Sequence, residues 1–302
     1  MGSALALACG AAVLHAVWSL VSKRLAGYDA VAFVWLASLG SFVAYAPLVL
    51  ALVGGEHGSG GTAGGGGWRL TPVQLAFVAG SVVINLGYFL VIQYGYRLGG
   101  LSLVYPIARG TGPILAIVGG ILFLGEVPSG PGLFGALAAV GGVVALGLSA
   151  RPADGGPPPA GGYGRALGYA LLSGLTIAGY TLWDQHTVGP LAVSPLLLNW
   201  VDDLGRVVLL GPSAYRRRAA LGRLWRECRL LILGAATLMP LPYLLFLFAL
   251  RLAPAAVVSP IREASVLLVV LLGGTLLAEG HLRARLLAAG VIVTGLGLIA
   301  FG

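Results

Sequence analysis

Apolar runs of about twenty residues follow one another along almost the whole chain, separated by short stretches rich in Gly, Pro or Arg. A helix needs roughly 20 apolar residues to cross the hydrocarbon core of a bilayer, so each run has the length of a membrane span. Ten runs are legible, at 3–22, 31–53, 72–95, 101–124, 130–149, 164–183, 190–211, 230–250, 255–277 and 284–301. All are expected to be α-helices, because hydrocarbon offers no partner to an unpaired backbone group. Residues 54–67 form a Gly-rich loop, and 151–163 read as a Pro- and Gly-rich linker containing Pro157-Pro158-Pro159. A basic loop is expected between the seventh and eighth runs, with Arg216, Arg217, Arg218, Arg223, Arg226 and Arg229.

The two sides of the linker resemble each other. Arg97 precedes Pro106 by nine residues and Arg109 precedes Glu126 by seventeen; Arg251 precedes Pro260 by nine and Arg262 precedes Glu279 by seventeen. The segments read RLGGLSLVYPIAR and RLAPAAVVSPIR, and the runs after them GTGPILAIVGGILFLGE and EASVLLVVLLGGTLLAE. Residues 1–150 and 164–302 are therefore expected to be two copies of a five-helix unit. Five is odd, so the second copy enters the membrane in the opposite sense. The fold class expected is an all-α membrane protein of ten transmembrane helices, arranged as two inverted five-helix repeats, a recurrent plan of secondary transporters.

Composition narrows the classes further. Of 302 residues 58% are apolar and only 9% charged, against about 25% charged in a soluble domain; the mean hydropathy is +0.95. A soluble or disordered chain is excluded on these grounds. The net charge of +8 does not point to nucleic acid, because most of the basic residues fall between apolar runs, where they orient spans. Odd-numbered connections hold 13 basic residues, even-numbered ones only Arg69 and Arg251. That count places both termini outside. Cys9 and Cys228 suggest neither a disulfide framework nor a metal site. The first run has no Lys or Arg before it, so it is expected to be a span rather than a signal peptide.

Charge inside a span is costly and marks candidate function. Arg109 and Arg262, each just after a Pro that interrupts an apolar run, are the leading pair for holding an anionic group such as a carboxylate. They are also able to serve as clamps for Glu126 and Glu279. Seventeen residues of helix extend roughly 25 Å, so Arg109 cannot reach Glu126 on its own helix, and pairing would run between the halves. Glu263 and Asp184 are candidates to carry a coupling proton. Asp202, Asp203 and Arg206 form a structural charge cluster, since either Asp can pair with Arg206 at helical spacing. That leaves one Asp over. His15 and the aromatics Trp18, Tyr88, Tyr105, Tyr180 and Trp183 line a solute path or belong to an interfacial aromatic belt. Asn85, Gln93, Tyr94 and Tyr243 line a cavity or bond between helices. Paired glycines, Gly119-Gly120, Gly141-Gly142, Gly273-Gly274 and Gly295-x-Gly297, point to close helix packing. No Walker sequence, HExxH, GxSxG or metal-spaced Cys/His cluster occurs, so neither an enzyme nor a cofactor is expected.

LHAVWSLVSKR in the first run, YPIARGTGPI opening the fourth, and apolar runs that end in Gly-Glu or Ala-Glu resemble the drug/metabolite transporter superfamily, and within it the EamA-like transporters. The resemblance implies ten helices, a central cavity lined mainly by spans 1, 3, 4, 6, 8 and 9, and ATP-independent movement of small organic solutes. The chain departs from that pattern at Ser19, where Asn or Gly is usual after the span-1 Trp. Many ten-span relatives have cytoplasmic termini, against the charge count here.

The function expected is that of a multi-pass inner-membrane secondary transporter or exporter, moving amino-acid-like, carboxylate-bearing or drug-like solutes by alternating access. Its expected partners are the solute, the lipid bilayer and a coupling proton, with a homodimer left open. The alternative is a non-transporting scaffold or accessory subunit, which requires a dry, filled midplane.

Overall fold

A computed structural model describes residues 2–55, 70–124, 129–148, 162–188, 190–252, 265–277 and 281–301. Among these residues there is no strand. The helices are α1 (Gly2–Leu25), α2 (Ala30–Gly55), α3 (Pro72–Leu98), α4 (Leu101–Leu124), α5 (Gly130–Leu148), α6 (Gly162–Val188), α7 (Pro195–Arg216), α8 (Arg218–Leu238), α9 (Leu241–Leu252), α10 (Ser265–Leu276) and α11 (Leu282–Phe301). Six helices among the described residues are long and apolar enough to cross a membrane.

The distribution of side chains is that of a protein in lipid. Large apolar side chains point outward, such as Leu230 at 78% exposed and Phe134 at 66%. Ser22, Ser41, Ser81, Gln93, Asp202, Asp203 and Arg206 are buried instead. In water that arrangement would waste the hydrophobic effect; in hydrocarbon it gathers the polar groups inside, away from the lipid.

Two expectations are corrected on the C-terminal side. The segment expected as a basic loop is helical: α7 runs to Arg216, a single turn residue follows at Arg217, and α8 begins at Arg218. Arg, Ala and Leu are good helix formers, and their propensity prevails where the charges reach solvent. The backbone leaves helical geometry once within α8, at Cys228 (φ −131°, ψ 23°). The run expected as one continuous helix at 230–250 bends at a turn, while the apolar stretch Arg218–Leu245 through it keeps the length of a membrane span. A turn at Met239–Pro240 separates α8 from α9, because Pro240 and Pro242 each lack the N–H that a continuous helix would use. In contrast, α4 continues through Pro106, so this Pro does not interrupt its run; one lost backbone bond near the start of a helix is tolerated.

The chain forms two compact units, each drawn from both sequence halves. The first comprises Met1–Gly27, Val91–Ala178 and Leu241–Gly302; the second Tyr28–Leu90 and Gly179–Pro240. Within the first, α1 packs on α9 and α10, α4 on α5 and α10, and α5 along α11. The α5–α11 contact is a small-residue seam. Gly142 lies against Ile292 and the Ala288 carbonyl, and Gly295 against Ala139. The neighbours Gly141 and Gly297 meet nothing, so only one glycine of each pair serves the packing. Gly119 and Gly120 lie outside the residues whose side chains are described. Within the second unit, α2 packs on α7 and α8. Two indoles fasten it: Trp35 Nε1 donates to the Val207 carbonyl at 3.0 Å and Trp200 Nε1 to the Phe42 carbonyl at 2.9 Å.

Candidate functional site

The first unit brings together the sequence-singled residues of α1 and α4. The His15 ring stands 5.6 Å from the Tyr105 ring. The Tyr105 hydroxyl is 3.0 Å from Ser265 Oγ on α10. Arg109 follows Tyr105 by four residues, so the two share a face of α4. Trp18 lies one turn beyond His15 and is largely buried, and Ser19 returns its hydroxyl to the His15 carbonyl at 2.9 Å. Ser19, the departure from the family pattern, is thus accommodated by its own helix. Ser22 donates to Gln93 Oε1 at 3.0 Å. Lys23 Nζ donates to the carbonyls of Tyr96 and Gly99 at the end of α3, where a helix C-terminus attracts a cation. Two basic residues at the ends of apolar runs therefore have structural partners: Lys23 on α3, and the buried Arg285, which donates to Ser102 Oγ.

The second unit holds the other candidates. Tyr88 and Tyr180 have ring centroids 5.4 Å apart. Trp183 stacks on Phe77 at 4.7 Å, and its Nε1 donates to the Phe77 carbonyl at 2.7 Å. Gly80 leaves room for that indole. Asp184, one position on, accepts from the Ser81 hydroxyl at 2.5 Å and from Asn85 Nδ2 at 3.3 Å.

The charge cluster of α7 lies in the same unit. Asp203 rather than Asp202 bonds to Arg206, through Nη2 at 2.5 Å. Arg206 Nε donates to Ser38 Oγ at 3.1 Å, and the guanidinium lies 4.5 Å from the Phe89 ring centroid. Ser41 donates to the other Asp203 oxygen at 2.7 Å. Asp202 Oδ2 is 3.3 Å from Ser81 Oγ. All three charged groups are at most 5% exposed.

Ser38, Ser41, Ser81, Phe89 and Ser265 carry no motif or charge that marks them in the sequence. Their signal was weak but present. Ser38 and Ser41, and likewise Ser81 and Asn85, are polar positions one turn apart within apolar runs. Arg262, Glu263, Glu126 and Glu279 lie outside the described residues. Among those described, no three His, Cys, Asp or Glu side chains are grouped to hold a metal.

Long apolar helices with outward lipid faces and inward polar clusters define a polytopic membrane protein. The model of the EamA-like transporter family matches the chain twice, over residues 2–148 and 164–301. The chain belongs to that family, and it is a multi-pass membrane transporter of the drug/metabolite kind. One solved crystal structure is 16% identical and superposes with a TM-score of 0.58 over 99% of this chain and 98% of that one; the likeness shows a shared fold. No curated protein matches.

Proposed function

We propose that the protein is a secondary transporter of small organic solutes bearing an anionic group, and that its halves, 1–150 and 164–302, are inverted five-helix repeats joined by the 151–163 linker. Ten spans and alternating access of the halves across an inner membrane complete the reading. The observation that carries it is the convergence of His15, Tyr105 and Ser265 from three helices, with Arg109 one turn from Tyr105. A guanidinium offers paired donors to a carboxylate, and the rings give an apolar flank to the rest of the solute. Arg262, on the matching segment of the other half, is assigned the same role by the repeat. Trp18, Tyr88, Tyr180 and Trp183 are assigned to the solute path, and a proton is the coupling ion.

The test is thermal stability of the purified full-length protein against amino acids, organic acids and cationic drugs. A ligand at 100-fold its Kd stabilises by about 2.7 kcal/mol through mass action. A carboxylate ligand should raise the melting temperature of wild type and of Arg109→Lys, and lose its effect in Arg109→Ala. A ligand that stabilises Arg109→Ala as much as wild type removes Arg109 from the site. Silence across the library at millimolar concentrations favours the scaffold alternative.

A further inference from the structure

Asp202 is the acid that the ion pair of α7 leaves over. Arg206 is engaged on three sides, by Asp203, Ser38 and Phe89. Among the described residues, Asp202 has one hydrogen-bonding contact, at 3.3 Å between its Oδ2 and Ser81 Oγ, and its buried Oδ1 has no hydrogen-bond partner. Ser81 has a single hydroxyl hydrogen. Its 2.5 Å contact with Asp184 Oδ1 has the length of a hydroxyl donating to an ionised carboxylate. With that hydrogen committed, Ser81 Oγ offers Asp202 only lone pairs. An ionised Asp202 would face them as acceptor against acceptor; a protonated Asp202 donates to them.

The surrounding charges agree. The acids and cations facing Asp202 among the described residues are Asp184 from α6, and Asp203 and Arg206 from α7. The other polar groups are Ser81 and Asn85 from α3, with Ser38, Ser41 and the Tyr45 phenol from α2 on the Asp203 side. That is three acids against one base. Both Asp184 and Asp202 reach the same serine oxygen, so their nearest oxygens are no more than about 6 Å apart, a range at which two like charges disfavour each other.

We propose that Asp202 and Asp184 share one proton across Ser81, with Asp202 as the resting holder, so that α3, α6 and α7 build a proton-binding site inside the second unit. Asp184 is partly exposed, whereas Asp202 is 5% exposed. Asp184 is therefore the door. Once Asp202 has given up its proton, the Ser81 hydroxyl turns to donate to Asp202 Oδ2; a proton then taken up on Asp184 Oδ1 passes to Ser81 Oγ as the Ser81 O–H bond breaks and its hydrogen moves to Asp202 Oδ2. The serine ends as it began, Asp184 returns to carboxylate and Asp202 becomes the acid. Asn85, which donates to both Ser81 and Asp184, positions the relay. The protonation stands on this geometry alone; its use as the coupling step rests on the transporter reading.

Infrared difference spectroscopy of the full-length protein in lipid nanodiscs tests the site directly. Wild type at neutral pH should show the C=O band of a protonated carboxyl that shifts on ¹³C-aspartate labelling. Asp202→Asn, which has the shape and donor capacity of the protonated acid, should remove it. Ser81→Ala should retain the band at a shifted frequency, because the acid loses its acceptor. No such band in wild type, a band that survives Asp202→Asn, or an unmoved band in Ser81→Ala overturns the proposal. Solute flux in proteoliposomes then tests the coupling. A pH gradient should change the wild-type rate at least tenfold and leave Asp202→Asn within twofold. A band that behaves as expected, with wild-type flux indifferent to the gradient, overturns the coupling role and leaves the proton site standing.

Discussion

Gly135 of α5 and Gly295 of α11 meet backbone to backbone: a methyl group on Gly135 would lie 2.6 Å from the Gly295 carbonyl oxygen, and one on Gly295 would lie 2.5 Å from that of Gly135. Neither position has a flexible side chain to yield, so any substituent must push the helices apart. Overpacking of this kind costs about 1–3 kcal/mol. Gly135→Ala and Gly295→Ala should each lower the melting temperature of the purified protein. Gly141→Ala and Gly297→Ala, which meet nothing within 4 Å, should hold or raise it, since Ala exceeds Gly in helix propensity by up to about 1 kcal/mol. Equal losses at all four positions would show that the seam is not what keeps α5 on α11.

The Asp203–Arg206 pair makes a sharper demand. Removing one partner of a buried pair costs about 3–5 kcal/mol, because the other charge is left behind, whereas removing both together costs far less. Arg206→Ala should therefore be among the most damaging single changes in the chain, and Asp203→Asn combined with Arg206→Met should recover much of the loss. Arg206→Lys should not rescue. It keeps the charge but loses the planar face over Phe89 and the Nε contact with Ser38. Thermal melts of wild type, Asp203→Asn, Arg206→Met and the double variant close the cycle, and additive losses would show that the two side chains are not coupled.

Hydrophobic run length alone gave most of the helices, because the bilayer imposes one solution on an apolar chain. What depends on distant partners was not legible. Both Asp202 and Asp203 satisfy helical spacing to Arg206, and the choice between them is made by Ser41 and Ser81, far away in sequence. The arginines after α7 carry the composition of a loop, yet they continue as helix because their charges reach solvent. Pro106 and Pro240 look alike on paper; one is absorbed in α4 and the other ends α8. The duplicated pattern is visible in the sequence, and each compact unit nonetheless draws on both copies. Interleaving of that kind is a property of tertiary packing and leaves no periodic signature.

Tyr105 links the candidate solute site to the fold through the Ser265 hydroxyl. A neutral hydrogen bond contributes about 0.5–1.5 kcal/mol. Tyr105→Phe and Ser265→Ala should each destabilise by that order, and together by little more than either alone. The two differ at the site. Tyr105→Phe keeps the ring against His15 and should preserve ligand binding, whereas Tyr105→Ala should abolish it. Binding that survives Tyr105→Ala would confine this residue to tethering α4 on α10.

Orientation follows from the basic side chains that stay exposed at the surface. Lys23 and Arg285 spend their charge on Tyr96, Gly99 and Ser102, which weakens them as topology signals. Arg216, Arg218, Arg223, Arg226 and Arg229 are exposed and sit within one short segment, the circumstance in which basic residues hold a connection on the cytoplasmic side. Gly222→Cys in a chain carrying Cys9→Ser and Cys228→Ser should therefore resist a membrane-impermeant maleimide in right-side-out vesicles and react once they are opened. Labelling in sealed vesicles would place this segment outside and both termini in the cytoplasm, as in many ten-span relatives. Reversing the five charges to Glu should convert the first result into the second if the arginines set the orientation, and leave it unchanged if the packed helices do.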